Sequence, residues 1–248
     1  MLSIDDEFDK IEIRRFENAL KYRNGAFSGK SDFERTVLHY VVLKDDLKSV
    51  KELVENGCDV NAKDHINVTP LHFAARNGSL KMVKLLVELG ADVCAKKQYG
   101  ETVLHYAANS GSLKTVQWLI EHGADVNAKD ENGYTVLHHA AMSGNLKLFK
   151  WLVSQGLDIN SISDNGFLVV HSAARSGSLE LVKWLVNQGA KLFVKARWGI
   201  TTLHHAAVSG NLKLVQWLVE QGENLKDDCM SEPLLLTAIS SGSTELVQ

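Results

Sequence analysis

The chain has 248 residues, 23% of them charged, and a formal net charge of -3 at pH 7, a balance that gives no cationic footprint for nucleic acid or an anionic membrane surface. No apolar run approaches the roughly 20 residues needed to cross a bilayer, and the acidic start MLSIDDEFDK lacks the basic and apolar regions of a secretory signal. Cys58, Cys94 and Cys229 are an odd number with no close CxxC pair, which fits neither a disulfide framework nor a zinc ribbon and points to a reducing compartment.

The first segment, IDDEFDKIEIRRFENALKYR, places Ile4, Phe8, Ile11, Phe16 and Leu20 at roughly helical spacing, with acidic residues in the first turn. A helix is predicted within residues 1–30, covering the first apolar face of the array that begins at residue 31. From there the chain repeats with a constant step of 33: TVLHY at Thr36, TPLHF at Thr69, TVLHY at Thr102, TVLHH at Thr135, LVVHS at Leu168 and TTLHH at Thr201. A period of this size signals stacked supersecondary units in one elongated domain.

Residues 97–129 show what one unit encodes. Gly100 lies in a polar turn, and Thr102 is placed to cap a short helix through VLHYAAN. The small pair Ala107 and Ala108 lets another helix come close. Gly111 breaks that helix, Ser112 can cap a second one, LKTVQWLI carries apolar residues at helical spacing, and Gly123 ends it. An extended ADVNAK then leads into the next turn. Sixteen of the 18 glycines occupy three positions of the period, leaving only Gly25 and Gly29, so no phosphate-cradling loop remains.

The recurring pattern xxGxTxLHxAAxxGxLxxVxxLxxxGADVNAx is similar to the ankyrin repeat. The resemblance covers about 31–248 and implies an all-α ankyrin-repeat solenoid, with paired antiparallel helices joined by hairpin-like loops. It comprises six full repeats (31–63, 64–96, 97–129, 130–162, 163–195 and 196–227), a partial seventh at 228–248, and the N-terminal helical cap at 1–30. Several positions depart from the family. Only Pro70 follows its capping threonine, Asn67 stands where a turn glycine is usual, and the ADVN segment becomes AKLF at 190–193 and ENLK at 223–226. The chain stops inside a second helix, so further repeats are expected downstream.

Residues that suggest chemistry recur with the period. His39, His72, His105, His138, His171 and His204 share one position. Stacked helices lie about 8–10 Å apart, whereas imidazole binds zinc at about 2.0–2.1 Å, so adjacent copies are poorly placed to share an ion. The resemblance implies that each histidine bonds to its threonine and to neighbouring backbone. Ser112, Asn145, Ser178 and Asn211 alternate as helix caps, and Asp59, Asp92, Asp125 and Asp158 recur as turn residues. No catalytic, metal or cofactor residue is singled out, and the chain is not expected to be an enzyme. Trp118, Trp151, Trp184 and Trp217 fall within the apolar stripe of the second helices and are expected to form a packed seam.

The resemblance implies binding of a protein partner through hairpin tips and the ends of the first helices, on the concave face of units three to six. Carried onto this sequence, those positions include Arg76, Tyr99, Asn109, Tyr134, Met142, Phe167, Arg175, Arg197 and Trp198, with the four aromatics at consecutive tips. A monomer without nucleic-acid binding or membrane insertion is expected, in the cytoplasm or another reducing intracellular compartment. The alternative is the targeting domain of a larger enzyme or bacterial effector, present in a host cytosol, whose catalytic domain lies outside this chain.

Overall fold

Two helix lengths alternate along the chain because two sequence patterns alternate: a seven- or eight-residue apolar run after the threonine, and a nine-residue amphipathic run after the middle glycine. In the computed structural model, which describes residues 34–222, they give α1 (Val37–Leu43) and α2 (Leu47–Glu55), then α3 (Pro70–Arg76) and α4 (Leu80–Glu88), α5 (Val103–Asn109) and α6 (Leu113–Glu121). The series continues with α7 (Val136–Met142) and α8 (Leu146–Ser154), α9 (Val169–Arg175) and α10 (Leu179–Asn187), and α11 (Thr202–Ser209) and α12 (Leu212–Glu220). The cap helix expected at 1–30, the partial repeat at 228–248 and the segment after Gly222 lie outside the described residues. No strand forms among the described residues; isolated antiparallel bridges pair Lys96 with Thr102, Lys129 with Thr135 and Ile162 with Leu168.

The described residues fall into two compact units, one up to Ala107 with Lys114–Asp125, the other Ala108–Leu113 with the residues from Val126. In the first, α1 packs on α3 and α2 on α4; in the second, α9 packs between α7 and α11. Short helices are buried nearly all round: in α3 Pro70, Leu71, His72, Phe73, Ala74 and Ala75 are all buried. The alanine pairs 74/75, 140/141 and 173/174 are fully buried, and their small size is what allows close helix approach. Long helices bury one face only, as α4 does with Met82, Val83 and Leu86. Each fully buried leucine of this kind contributes roughly 1.5–3 kcal/mol.

The long helices start on short polar caps. Asp46, Ser79, Ser178 and Asn211 accept from the amides of Ser49, Met82, Leu181 and Leu214, and Asn145 accepts from both Lys147 and Leu148. The asparagines do a second job that serine cannot. Asn145 Nδ2 donates to the Gly111 carbonyl at 2.9 Å and Asn211 Nδ2 to the Gly177 carbonyl at 2.8 Å, tying a helix start to the preceding repeat. Between helix pairs, Asn61 accepts from the Asp92 amide at 2.8 Å while donating to the Gly90 carbonyl at 2.9 Å. At 190–193, where the family segment is lost, Leu192 is buried and its carbonyl accepts from the Thr202 hydroxyl at 3.0 Å.

Gly133 meets two demands at once. Its φ is +76°, and a Cβ there would stand 2.6 Å from Asp164 Oδ1 and 2.9 Å from the Asp164 amide nitrogen, which donates to the Asn132 carbonyl at 3.0 Å. Gly156 has φ +92° with nothing within 4 Å of such a Cβ. Gly156→Ala is therefore expected to cost only the left-handed backbone penalty of about 1–2 kcal/mol, and Gly133→Ala measurably more. Equal urea midpoints for the two variants would show that the hairpin contact at Asp164 carries no energy.

Candidate partner-binding surface

Each short helix begins with the same device. The Thr36 amide donates to His39 Nδ1 at 3.1 Å, and the Thr36 hydroxyl lies 3.0 Å from the same nitrogen. An amide can only donate, so Nδ1 is the acceptor and the proton sits on Nε2. That Nε2–H donates to the Val68 carbonyl at 3.0 Å, in the next hairpin. His138 repeats the arrangement with the Thr135 amide at 3.1 Å and the Phe167 carbonyl at 3.1 Å; His171 does so with the Leu168 amide at 3.0 Å and the Val194 carbonyl at 3.1 Å. It is a capping box with histidine in place of the usual glutamate. Leu168 has no hydroxyl, yet the bond persists, so the amide is the shared partner. With both ring nitrogens engaged in these three copies, no lone pair is left for a metal ion.

Burial favours the neutral imidazole at His39, His72 and His171. It outweighs the carbonyl bonds and lowers the pKa of His39, while His72 and His171 are pushed down to about 4. His205, one position beyond the ladder, is pushed down to about 3 by burial, with His171, Arg175 and His204 adding to the effect. Both of its ring nitrogens are shielded and lack a hydrogen-bond partner. Phe167 packs edge-on against it at 5.3 Å and His171 at 5.8 Å.

The hairpin tips divide into two kinds, and the residue opening each turn decides which. Asp64 Oδ1 accepts from the amides of Ile66 and Val68 at 3.0 and 2.8 Å, Asp130 Oδ1 from those of Asn132 and Tyr134 at 2.9 and 2.8 Å, and Ser163 Oγ from that of Phe167 at 3.1 Å. Such Asx-type bonding fixes the tip from within. In the other two turns the opening residue is Lys97 or Ala196. Lys97 pairs with Glu101 and its ammonium lies 5.5 Å from the Tyr106 ring; alanine has nothing to offer. Here two consecutive residues enter the left-handed region, Tyr99 (φ +69°) with Gly100 and Trp198 (φ +62°) with Gly199.

The four tip aromatics anticipated from the sequence therefore separate. Tyr99 and Trp198 precede the turn glycine and are 59% and 58% exposed. Tyr134 and Phe167 follow it and are half-buried, stacked on each other at 6.4 Å with Tyr134 edge-on to His138 at 5.2 Å and Phe167 to His171 at 5.8 Å. This pair packs along the histidine row rather than projecting as tips. Burial raises the Tyr134 phenol, with Ser163 bonding and the Arg175 charge working against it. Arg76, Asn109, Arg175 and Arg197 are exposed and Met142 is half-buried. In the second unit, Arg197 lays its guanidinium 4.8 Å from the centre of the Trp198 ring and donates to Asn165 Oδ1 at 3.1 Å. The inward turn of Tyr134 and Phe167 had a signal in the sequence, their position after the glycine.

A chain built of such His-boxed helix pairs is an ankyrin-repeat protein, and the comparisons agree. The family described as ankyrin repeats (3 copies) matches residues 16–97, 93–163 and 170–248. The chain belongs to this family. Among solved structures it is similar to the human ASB11 ankyrin repeat domain, at 27% identity and a TM-score of 0.62, over 86% of this chain and 96% of that one. A search of curated proteins found no match. Ankyrin repeats are in general protein–protein interaction modules, and no described helix is long and apolar enough to cross a membrane.

The neutral imidazoles set a pH dependence. Their folded pKa values lie below the unfolded value of about 6.5, so protons bind the unfolded chain first. The stability they confer is complete above about pH 6.5 and is lost as pH falls towards 4, by at most about 3 kcal/mol each for His72 and His171. The urea midpoint should hold from pH 8 to about 7 and drop steeply by pH 4.5. A flat profile over that range would mean that the histidines are accessible to protons in the fold.

Proposed function

We propose that this chain is a non-catalytic interaction module that holds a protein partner on its hairpin tips and the ends of its short helices. Repeats at 31–63, 64–96, 97–129, 130–162, 163–195 and 196–227, with a cap at 1–30 and a partial repeat at 228–248, form the array in this reading. The carrying observation is the Arg197–Trp198 tip. A non-glycine residue in the left-handed region costs roughly 1–2 kcal/mol, and an indole left 58% exposed recovers little of it by burial. Partner contact supplies what the fold does not. A Trp beside an Arg is also the residue pair in which interface energy concentrates.

Around that tip the second unit offers Arg175 and Met142 at helix ends and the half-buried Tyr134–Phe167 stack between them and the histidine row. These supply a mixed aromatic and cationic surface suited to a protein with acidic and apolar groups. In the first unit Tyr99 and Arg76 are the matching candidates. The mixed charge of the chain gives no support to nucleic acid as the partner, and the free thiols of Cys58 and Cys94 suit a monomer in a reducing compartment.

Quantitative pull-down from a lysate, comparing the wild-type chain with an Arg197→Ala, Trp198→Ala double variant, tests the reading. Loss of specific partners at an unchanged melting temperature is the expected outcome. An undiminished partner set on the folded variant would move the site away from this tip.

A further inference from the structure

The long helices of the second unit show a contact not found among the described residues of the first. Trp184 of α10 leans against α8, edge-on to Phe149 at 5.8 Å, and the Lys150 ammonium lies 5.6 Å from its ring centre. The contact recurs one repeat later, with Lys183 5.7 Å from Trp217. An indole beneath a lysine thus joins α10 to α8 and α12 to α10. Three periods earlier, the positions of Phe149, Lys150 and Trp184 hold Val50, Lys51 and Leu85. The lysine is kept, and both rings are missing.

What remains between α2 and α4 is an open groove of about 530 Å³. Leu47 and Leu85 lie half-buried in it, Lys48, Lys51, Lys81 and Lys84 line it, and Glu88 is the one carboxylate in the lining. Lys48 and Lys51 reach Glu52 and Glu55 at 3.8 Å, but these pairs lie on exposed helix surface, where water and salt leave them weak and easily exchanged. We propose that this groove docks an aromatic side chain carried on an acidic segment of a partner protein. The ring takes the place that Trp184 fills in the later repeat, under Lys51 as Trp184 lies under Lys150, and the flanking carboxylates meet the four lysines. Cation–π attraction and apolar contact then act on one side chain.

A lipid surface is the weaker fit. A bilayer would meet the lysine heads first, whereas the apolar surface is confined to Leu47 and Leu85 between two helices, a patch on the scale of one side chain. The proposal stands apart from the tip-binding reading, because it uses other helices in the other unit and needs neither Trp198 nor Arg197.

The probe is a fluorescein-labelled peptide Asp-Glu-Asp-Trp-Glu-Asp-Asp, measured by anisotropy beside the same peptide with Ala for Trp. The Trp peptide should bind about tenfold or more tighter than the Ala peptide. Leu85→Trp, which refills the groove with the array's own indole, should weaken the Trp peptide to the level of the Ala peptide while the unfolding midpoint holds or rises. Lys51→Glu with Lys84→Glu should weaken it about tenfold or more, and should Leu85→Trp not fold, the preference for the Trp over the Ala peptide in this variant decides: its loss supports the proposal and its retention overturns it. Equal binding of the two peptides would overturn the proposal in favour of unspecific attraction to lysine, as would unchanged affinity in folded Leu85→Trp. Capture by phosphatidylserine vesicles without peptide binding would overturn it in favour of a lipid-facing surface.

Discussion

The amide of the residue before each short helix donates to an imidazole three residues on, and most of the architecture depends on that bond. It fixes the histidine as an acceptor at Nδ1 and so as a donor at Nε2. In His39, His138 and His171 that donor then reaches a carbonyl 29, 29 and 23 residues further along the chain. One side chain therefore caps its own helix and pins the next hairpin. A serine or glutamate could do the first of these but is too short or of the wrong polarity for the second. The bond works only with a neutral ring, and burial, rather than any charge partner, is the main cause that lowers the pKa values of His39, His72 and His171.

Because that connector fixes where each hairpin begins, the residue opening the hairpin is free to vary, and its variation has structural results. An Asp or Ser folds the tip around its own oxygen, keeps Asn132 and Asn165 out of the left-handed region and turns the residue after the glycine inward. Tyr134 and Phe167 then become part of the packing along the histidine row. A Lys or Ala leaves the tip amides without that oxygen, and the chain turns through two left-handed residues instead, with Tyr99 and Trp198 outward. His205 adds to this: its two ring nitrogens are shielded without a hydrogen-bond partner, and Phe167 and His171 pack edge-on against the ring. Unfavourable local choices thus gather on the surface proposed above for partner binding.

The period of 33, the alternating helices, their caps and the positive-φ glycines were all legible in the linear sequence, because each rests on interactions within three or four residues. The role of the ladder histidines was legible too, through repetition: six copies at one position cannot all be catalytic. Asn67 was readable as a left-handed turn residue, and its φ is +62°. The direction of the tip aromatics was only half legible. Their offset from the turn glycine is visible in the sequence, but its meaning depends on whether Asp130 or Lys97 opens the turn.

Sequence alone thus determined the repeat and the family it resembles, since local hydrogen bonds and apolar periodicity encode both. Tertiary structure alone decided what adjacent helices do to one another's side chains. Leu85 and Lys51 stand 34 residues apart, and the sequence shows the exchange of Trp for Leu at one position without showing what faces it. Only when α2 lies beside α4 does the smaller side chain become a groove and the retained lysine a group without a ring beneath it. The space between two surfaces is a property of both, and a linear pattern records each surface separately.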